Sequence, residues 1–187
     1  MTDRDHRILD AAIEVFSRYG LRKATMGDIA EQAGVSRQTL YARHSNKDEI
    51  MAAAMKLIAE RVCHDVTEGW GAAQDIGERL DIFLDCAVVR FFDQIRRMPD
   101  ASDLLTGHGD SAKAAQIAAE NGKLALLSDM FAPYADVLAA RGSSPGELAE
   151  FFYATASSFN FTARDEAHLA RLLATLKQST LTMLKEA

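Results

Sequence analysis

Apolar residues recur along this chain at helical spacing from end to end, and nowhere do they take up the every-second-residue alternation of a strand. Ile8, Leu9, Ala12, Ile13 and Phe16 share one face, with Arg4, Arg7, Asp10, Glu14 and Arg18 on the others, which predicts a helix from about residue 4 to Tyr19, stopped by Gly20. Thr25 with Asp28 three residues later reads as a capped start for a short second helix with Ile29, Ala30 and Ala33 inside, and Gly34 ends it. Ser36 caps a third helix that begins at Arg37 and turns Leu40 inward; the chain breaks again near Ser45 and Asn46. From Lys47 the helices lengthen: 47 to about 66, 75 to about 97, 112 to about 140, 145 to about 162 and 165 to about 185. Breaks fall at Gly69 to Gly71, Met98 to Gly109 and Arg141 to Ser144, and Pro133 kinks or divides the helix it interrupts. The chain is predicted to be all-α, with a small domain over residues 1–46 and a larger helical one over 47–187.

Three short helices with a glycine in the tight turn between the second and third carry the cues of a helix-turn-helix. Such a unit reads DNA when an exposed first turn offers side chains that match base edges and its flanks offer donors to phosphates. Arg37 and Gln38 stand at that first turn, suited to guanine and adenine respectively, and Thr39 adds a hydroxyl or a methyl. The phenol of Tyr41 can reach a phosphate, and Lys47 adds charge to the amides that open the fourth helix. Thr25 and Met26 can do similar backbone work at the start of the second helix, and Ser36 at the start of the third.

Charge sharpens this picture. The formal net charge is −6, but residues 1–50 are balanced, so the excess acid lies beyond them. Residues 34–47 hold Arg37, Arg43 and Lys47 and no carboxylate, a basic patch within an acidic protein.

The stretch Arg7 to Ile50, RILDAAIEVFSRYGLRKATMGDIAEQAGVSRQTLYARHSNKDEI, resembles the N-terminal DNA-binding domain of TetR/AcrR-family regulators. The helix AAIEVFSRYG with its glycine stop, TMGDIAEQAGVS across the turn, and TLY followed by NKDEI carry the resemblance. It implies an all-helical homodimer whose three N-terminal helices bind a palindromic operator in the major groove, with a larger domain for dimerisation and for a small, apolar effector. It implies a repressor that the effector releases. By position it assigns recognition to Arg37 through Arg43, with Tyr41 and Lys47 on phosphates. A departure falls at Arg43 and His44, where the family more often has an aromatic or His followed by a core Phe. His44 is expected to fill that core site; facing a phosphate, it would instead make binding pH-sensitive.

For the larger domain, the resemblance places an effector pocket among Trp70, Phe83, Phe91, Phe92, Met98, Met130, Phe131 and Tyr134, with His64, Cys86, His108 and Asn121 as its polar groups. Residues of these types at helical spacing also build ordinary cores. The last two helices carry wide apolar faces that include Phe151, Phe152, Phe159, Leu172 and Leu176; the family pairs these helices across a two-fold axis. The alternative is that they finish the monomer core.

Other classes find little footing. The longest apolar run, Ile50 to Met55, is far short of a membrane span, and residues 1–7 lack an apolar signal core, so a cytoplasmic protein is expected. Cys63 and Cys86 suit neither a disulfide scaffold nor a zinc site. No nucleophile–base set, phosphate loop or metal motif is present, so neither an enzyme nor a cofactor or metal is expected. Asp165, Glu166 and His168 read as the start of a helix, where carboxylates favour the dipole.

Overall fold

The computed structural model describes residues 2–97 and 110–185; Met98, His108 and the expected break between them lie outside the described residues. Among the described residues there is no strand. The order is α1 (Asp3–Lys23), α2 (Met26–Gln32), α3 (Arg37–Tyr41), α4 (Lys47–Ala72), α5 (Ile76–Leu84), a π-turn (Asp85–Val89), α6 (Arg90–Arg97), α7 (Asp110–Phe131), a 3-10 turn (Ala132–Tyr134), α8 (Ala135–Ala139), α9 (Pro145–Thr162) and α10 (Glu166–Met183).

Departures from the expected helices have local causes, and the expected division at Pro133 is present. α4 runs past Gly69 and Gly71 to Ala72. Gly69 marks a close approach: a Cβ there would lie 2.8 Å from Ile82 Cγ2. The expected 75–97 helix holds the π-turn, in which the Arg90 amide donates to the Asp85 carbonyl five residues back. Pro133 divides the 112–140 helix, because it lacks an amide and crowds the preceding turn.

The described chain forms two compact units. One takes residues up to Glu60 together with the described parts of Asp93–Ala119; the other takes Arg61–Phe92 and residues from Glu120 on. In the first, Ile8, Leu9, Ala12, Val15 and Phe16 of α1 share a core with Ile29 of α2, Leu40 of α3 and Ile50 and Leu57 of α4. In the second, Phe83 lies 6.2 Å from Phe152 and 6.3 Å from Tyr153, and Phe131 meets Phe152 edge-on. These rings, with Phe92, Leu127, Leu138 and Leu173, form that unit's core.

Leu40 is fully buried and is the only buried residue of α3. Leu40→Ala is expected to lower stability by about 2–5 kcal/mol. Gly34→Ala, at an open site with φ +64°, is expected to cost about 1–2 kcal/mol. Denaturant unfolding followed by circular dichroism measures both; a cost for Gly34→Ala as large as that for Leu40→Ala would contradict the purely conformational account of Gly34.

Candidate nucleic-acid interface

The pair α2–α3 is built from caps. Thr25 Oγ1 accepts from the Asp28 amide at 3.2 Å, while Asp28 Oδ2 accepts from the Thr25 amide at 2.9 Å and from the Thr25 hydroxyl at 2.7 Å, a reciprocal capping box. These bonds, Thr25's hydroxyl first, hold the Asp28 carboxyl below its usual range. At the other end of α2, the Val35 amide reaches the Ala30 carbonyl at 3.0 Å and the Gly34 amide reaches Glu31 at 3.1 Å. This doubly bonded turn needs a left-handed residue, which Gly34 supplies at φ 64°. Ser36 Oγ then accepts from the Thr39 amide at 3.1 Å to start α3. Asn46 Oδ1 accepts from the Glu49 amide at 2.9 Å to start α4, and Glu49 reaches back to the Ser45 amide at 2.7 Å.

On this frame the expected contact residues separate by what they touch. Gln38 and Tyr41 point to solvent from α3, and half of the Tyr41 surface is exposed. Thr39 is half-buried, with its hydroxyl 2.9 Å from that of Ser36. Thr25 is exposed, but the Met26 side chain is buried in the core, which leaves only its backbone for contact.

The three cations of the basic patch all have neighbours within the chain. The Arg37 guanidinium lies across the first turn of α2, where a Cβ on Gly27 would sit 2.7 Å from its Nη2. Arg43 Nη1 donates to Asp5 Oδ1. The Lys47 ammonium donates to the carbonyls of Leu21, Arg22 and Ala24 at 2.6, 3.3 and 3.2 Å, so its donors are engaged within the protein. These carbonyls lie in the last turn and C-cap of α1, just after Gly20 (φ 77°) interrupts the helix, and helix-end carbonyls lack intrahelical donors.

His44 is half-buried. Burial pushes its pKa down, Glu49 opposes the shift and Arg43 adds to it.

The residues expected to line an effector pocket are dispersed by burial. Phe83 and Phe131 are fully buried, Met130 and Cys86 nearly so, and all four belong to the packed core. His64 and Asn121 are exposed, and Phe91 is partly so. Trp70 donates its indole N–H to the Arg79 carbonyl at 2.8 Å, and Tyr134 is half-buried against the core. A groove of about 310 Å³ lies elsewhere in the same unit, between α5 with its π-turn and α10. Leu84, Val89 and Leu173 line it with Asp81 and Lys177, which are paired at 2.5 Å. Burial raises both thiols, Cys63 and Cys86, above their usual range.

Among the expected dimer residues, Phe151 is 58% exposed, Phe159 and Leu172 are half-buried, and Leu176 and Phe152 are buried within the unit. Phe152 is enclosed by Phe83 and Phe131, so its surface is used inside the chain. Phe161, 46% exposed on α9, was not among the expected residues. At the α10 start, Asp165 accepts from the His168 amide at 2.7 Å as a helix cap, while His168 Nδ1 accepts from the Arg164 amide.

Sequence reasoning also missed Asp5 and Gly27. Thr2 and Asp5 repeat the threonine-to-aspartate spacing of Thr25 and Asp28, and a glycine inside a seven-residue helix is itself a signal of close approach.

Residues 8–54 match a family model described as bacterial regulatory proteins, tetR family. The HTH-type transcriptional activator FasR of Mycolicibacterium smegmatis is 34% identical over 93 residues, covering 50% of this chain and 41% of that protein. The HTH-type nicotine-responsive transcriptional repressor HdnoR of Paenarthrobacter nicotinovorans is 30% identical over 74 residues, covering 40% and 38%. The chain thus spans about two fifths of the length of these relatives. The fatty acid degradation regulator FadR of Bacillus halodurans shares the fold over 97% of this chain and 98% of its own, with a TM-score of 0.72 at 17% identity.

Two outcomes follow for this unit. Lys47→Met is expected to lower stability by about 1 kcal/mol, because it strands the part-buried carbonyls of Leu21 and Ala24; unchanged unfolding would show that those bonds contribute nothing. For His44 the folded pKa lies below the ordinary 6.5, so the unfolded chain binds the proton first as pH falls. Stability should therefore decline as pH drops below about 6.5, and His44→Phe should remove that part of the decline in melting scans between pH 8 and pH 5.

Proposed function

We propose, from the membership of residues 8–54 in the tetR family of bacterial regulatory proteins, that this chain is a DNA-binding transcriptional regulator whose α2–α3 pair docks in the major groove. The observation that carries the reading is α3 itself. It is a single capped turn held down by Leu40, with Gln38 and Tyr41 facing outward and Arg37 at its first position. This is the form a groove-reading helix needs: a rigid base, an exposed polar first turn, and a glycine turn that brings the preceding helix across the backbone. In the proposed complex Arg37 and Gln38 read base edges. Tyr41 and the amides of Met26 and Ser36 hold phosphates, while the Thr25 amide stays with Asp28 in the capping box. Lys47 orders the domain and contacts no phosphate through its side chain.

The chain acts in this reading as a repressor on a palindromic operator and binds it as a homodimer. Phe151, Phe159 and Phe161 of α9 and Leu172 of α10 supply the apolar face that meets the partner. A small molecule binding the second unit releases the operator. Of the residues present there, the α5–α10 groove offers a volume near the lower end of small-molecule sites, whereas the expected aromatic residues are largely committed to the core. HdnoR, named a nicotine-responsive transcriptional repressor, supports this direction of control, whereas FasR is named an activator.

Selection from a random duplex pool tests the reading. It should recover an inverted repeat with half-sites about 34 Å apart, one helical turn. Gln38→Ala or Arg37→Ala should then cost about 1–3 kcal/mol on that site and relax the sequence at one position in each half. Failure to enrich any sequence over the starting pool would overturn it.

A further inference from the structure

We propose that Asp5 acts as an internal substitute for a DNA phosphate, occupying the Arg43 guanidinium in the free protein and so setting how tightly, and with what salt dependence, the reading unit binds. The inference rests on the DNA-binding reading above and adds a residue outside the helix-turn-helix to it.

The two oxygens of Asp5 have separate tasks. Oδ2 accepts from the Thr2 amide at 2.9 Å and from the Thr2 hydroxyl at 2.7 Å, while Thr2 Oγ1 accepts from the Asp5 amide at 3.3 Å, which closes the capping box of α1. Oδ1 is not needed for that cap and takes Arg43 Nη1. Arg43 lies just past α3, two residues beyond Tyr41, on the part of the unit that the reading turns towards the DNA backbone. The pair is not sealed in: the Arg43 side chain is 34% exposed and that of Asp5 20%. A guanidinium binds carboxylate and phosphate through the same planar array of N–H donors, so the two anions compete for it.

The exchange has a definite electrostatic signature. A free arginine that neutralises a phosphate displaces counterions from DNA, and affinity then falls with salt by about 0.9 in log–log slope per contact. If Asp5 must first be uncovered, the freed carboxylate attracts a cation and offsets part of that release. The wild-type slope is therefore shallower than its contact count implies. Affinity for every sequence is reduced alike, because phosphate contacts carry no base information.

The test is titration of a random-sequence 30-base-pair duplex with the full chain at several salt concentrations. Asp5→Asn keeps an acceptor for Thr2 while removing the charge. It should bind roughly threefold to tenfold more tightly per reading unit at low salt, with a steeper slope, and Asp5→Ser should behave likewise. Thr2→Ala, which loosens the cap but keeps the charge, should not tighten binding. In an Arg43→Gln background the gain from Asp5→Asn should vanish. Equal affinity and slope for wild type and Asp5→Asn, or a gain that persists without Arg43, would overturn the proposal. If folded wild type and Asp5→Asn both fail to bind any duplex at low salt, the DNA-binding reading itself falls, and this inference with it.

Discussion

One ammonium group, that of Lys47, gathers the carbonyls left open where α1 ends and the chain turns towards α2. Everything on the reading surface depends on that junction. α3 is five residues long, too short to persist in water by its own hydrogen bonds. It exists because α1, α2 and the first turns of α4 surround Leu40 and because Ser36 caps its start. Lys47, the first residue of α4, ties the beginning of that helix to the end of α1 through charge-assisted bonds to helix-end carbonyls, where a cation is also favoured by the dipole. A solvent-facing lysine would add charge to the surface. This one adds order to the scaffold beneath it.

Much of the fold was legible because its signals are local. Thr25 with Asp28, Gly34 and Ser36 each announce a helix end within three residues, and each end falls where they place it. Pro145 and Asp165 do the same for α9 and α10. The misread points were those where a residue answers to a distant partner. Gly69 looks like a stop until Ile82, thirteen residues on, is found against it. Nothing near Lys47 in sequence announces the three carbonyls, more than twenty residues earlier, that surround its ammonium. The apolar residues of the larger unit could not be divided by spacing between core and cavity wall, since both want rings and aliphatics on one helix face; burial alone separates Phe83 and Phe131 from an open groove.

The same distinction governs charge. Counted along the chain, residues 34–47 are purely basic. Counted in space, they are not: Arg43 has Asp5, and Arg37 lies close enough to Asp28 to help keep that carboxyl ionised. A protein with a net charge of −6 is repelled by nucleic acid at long range, so in the proposed complex contact at this surface would rely on neutral donors and helix-end amides together with the few cations that can exchange partners.

The π-turn at Asp85–Val89 has a meaning best expressed as phase. One added residue in a helical turn rotates everything after it by about 100° relative to an uninterrupted α-helix. It is in this shifted frame that Arg90 meets Asp85 at 3.1 Å and Asp65 of α4 at 2.7 Å. An insertion or deletion of a single codon is thus the smallest genetic step that re-aims this helix from Arg90 onward. It would exchange which side chains face inward while leaving the identity of each of them unchanged.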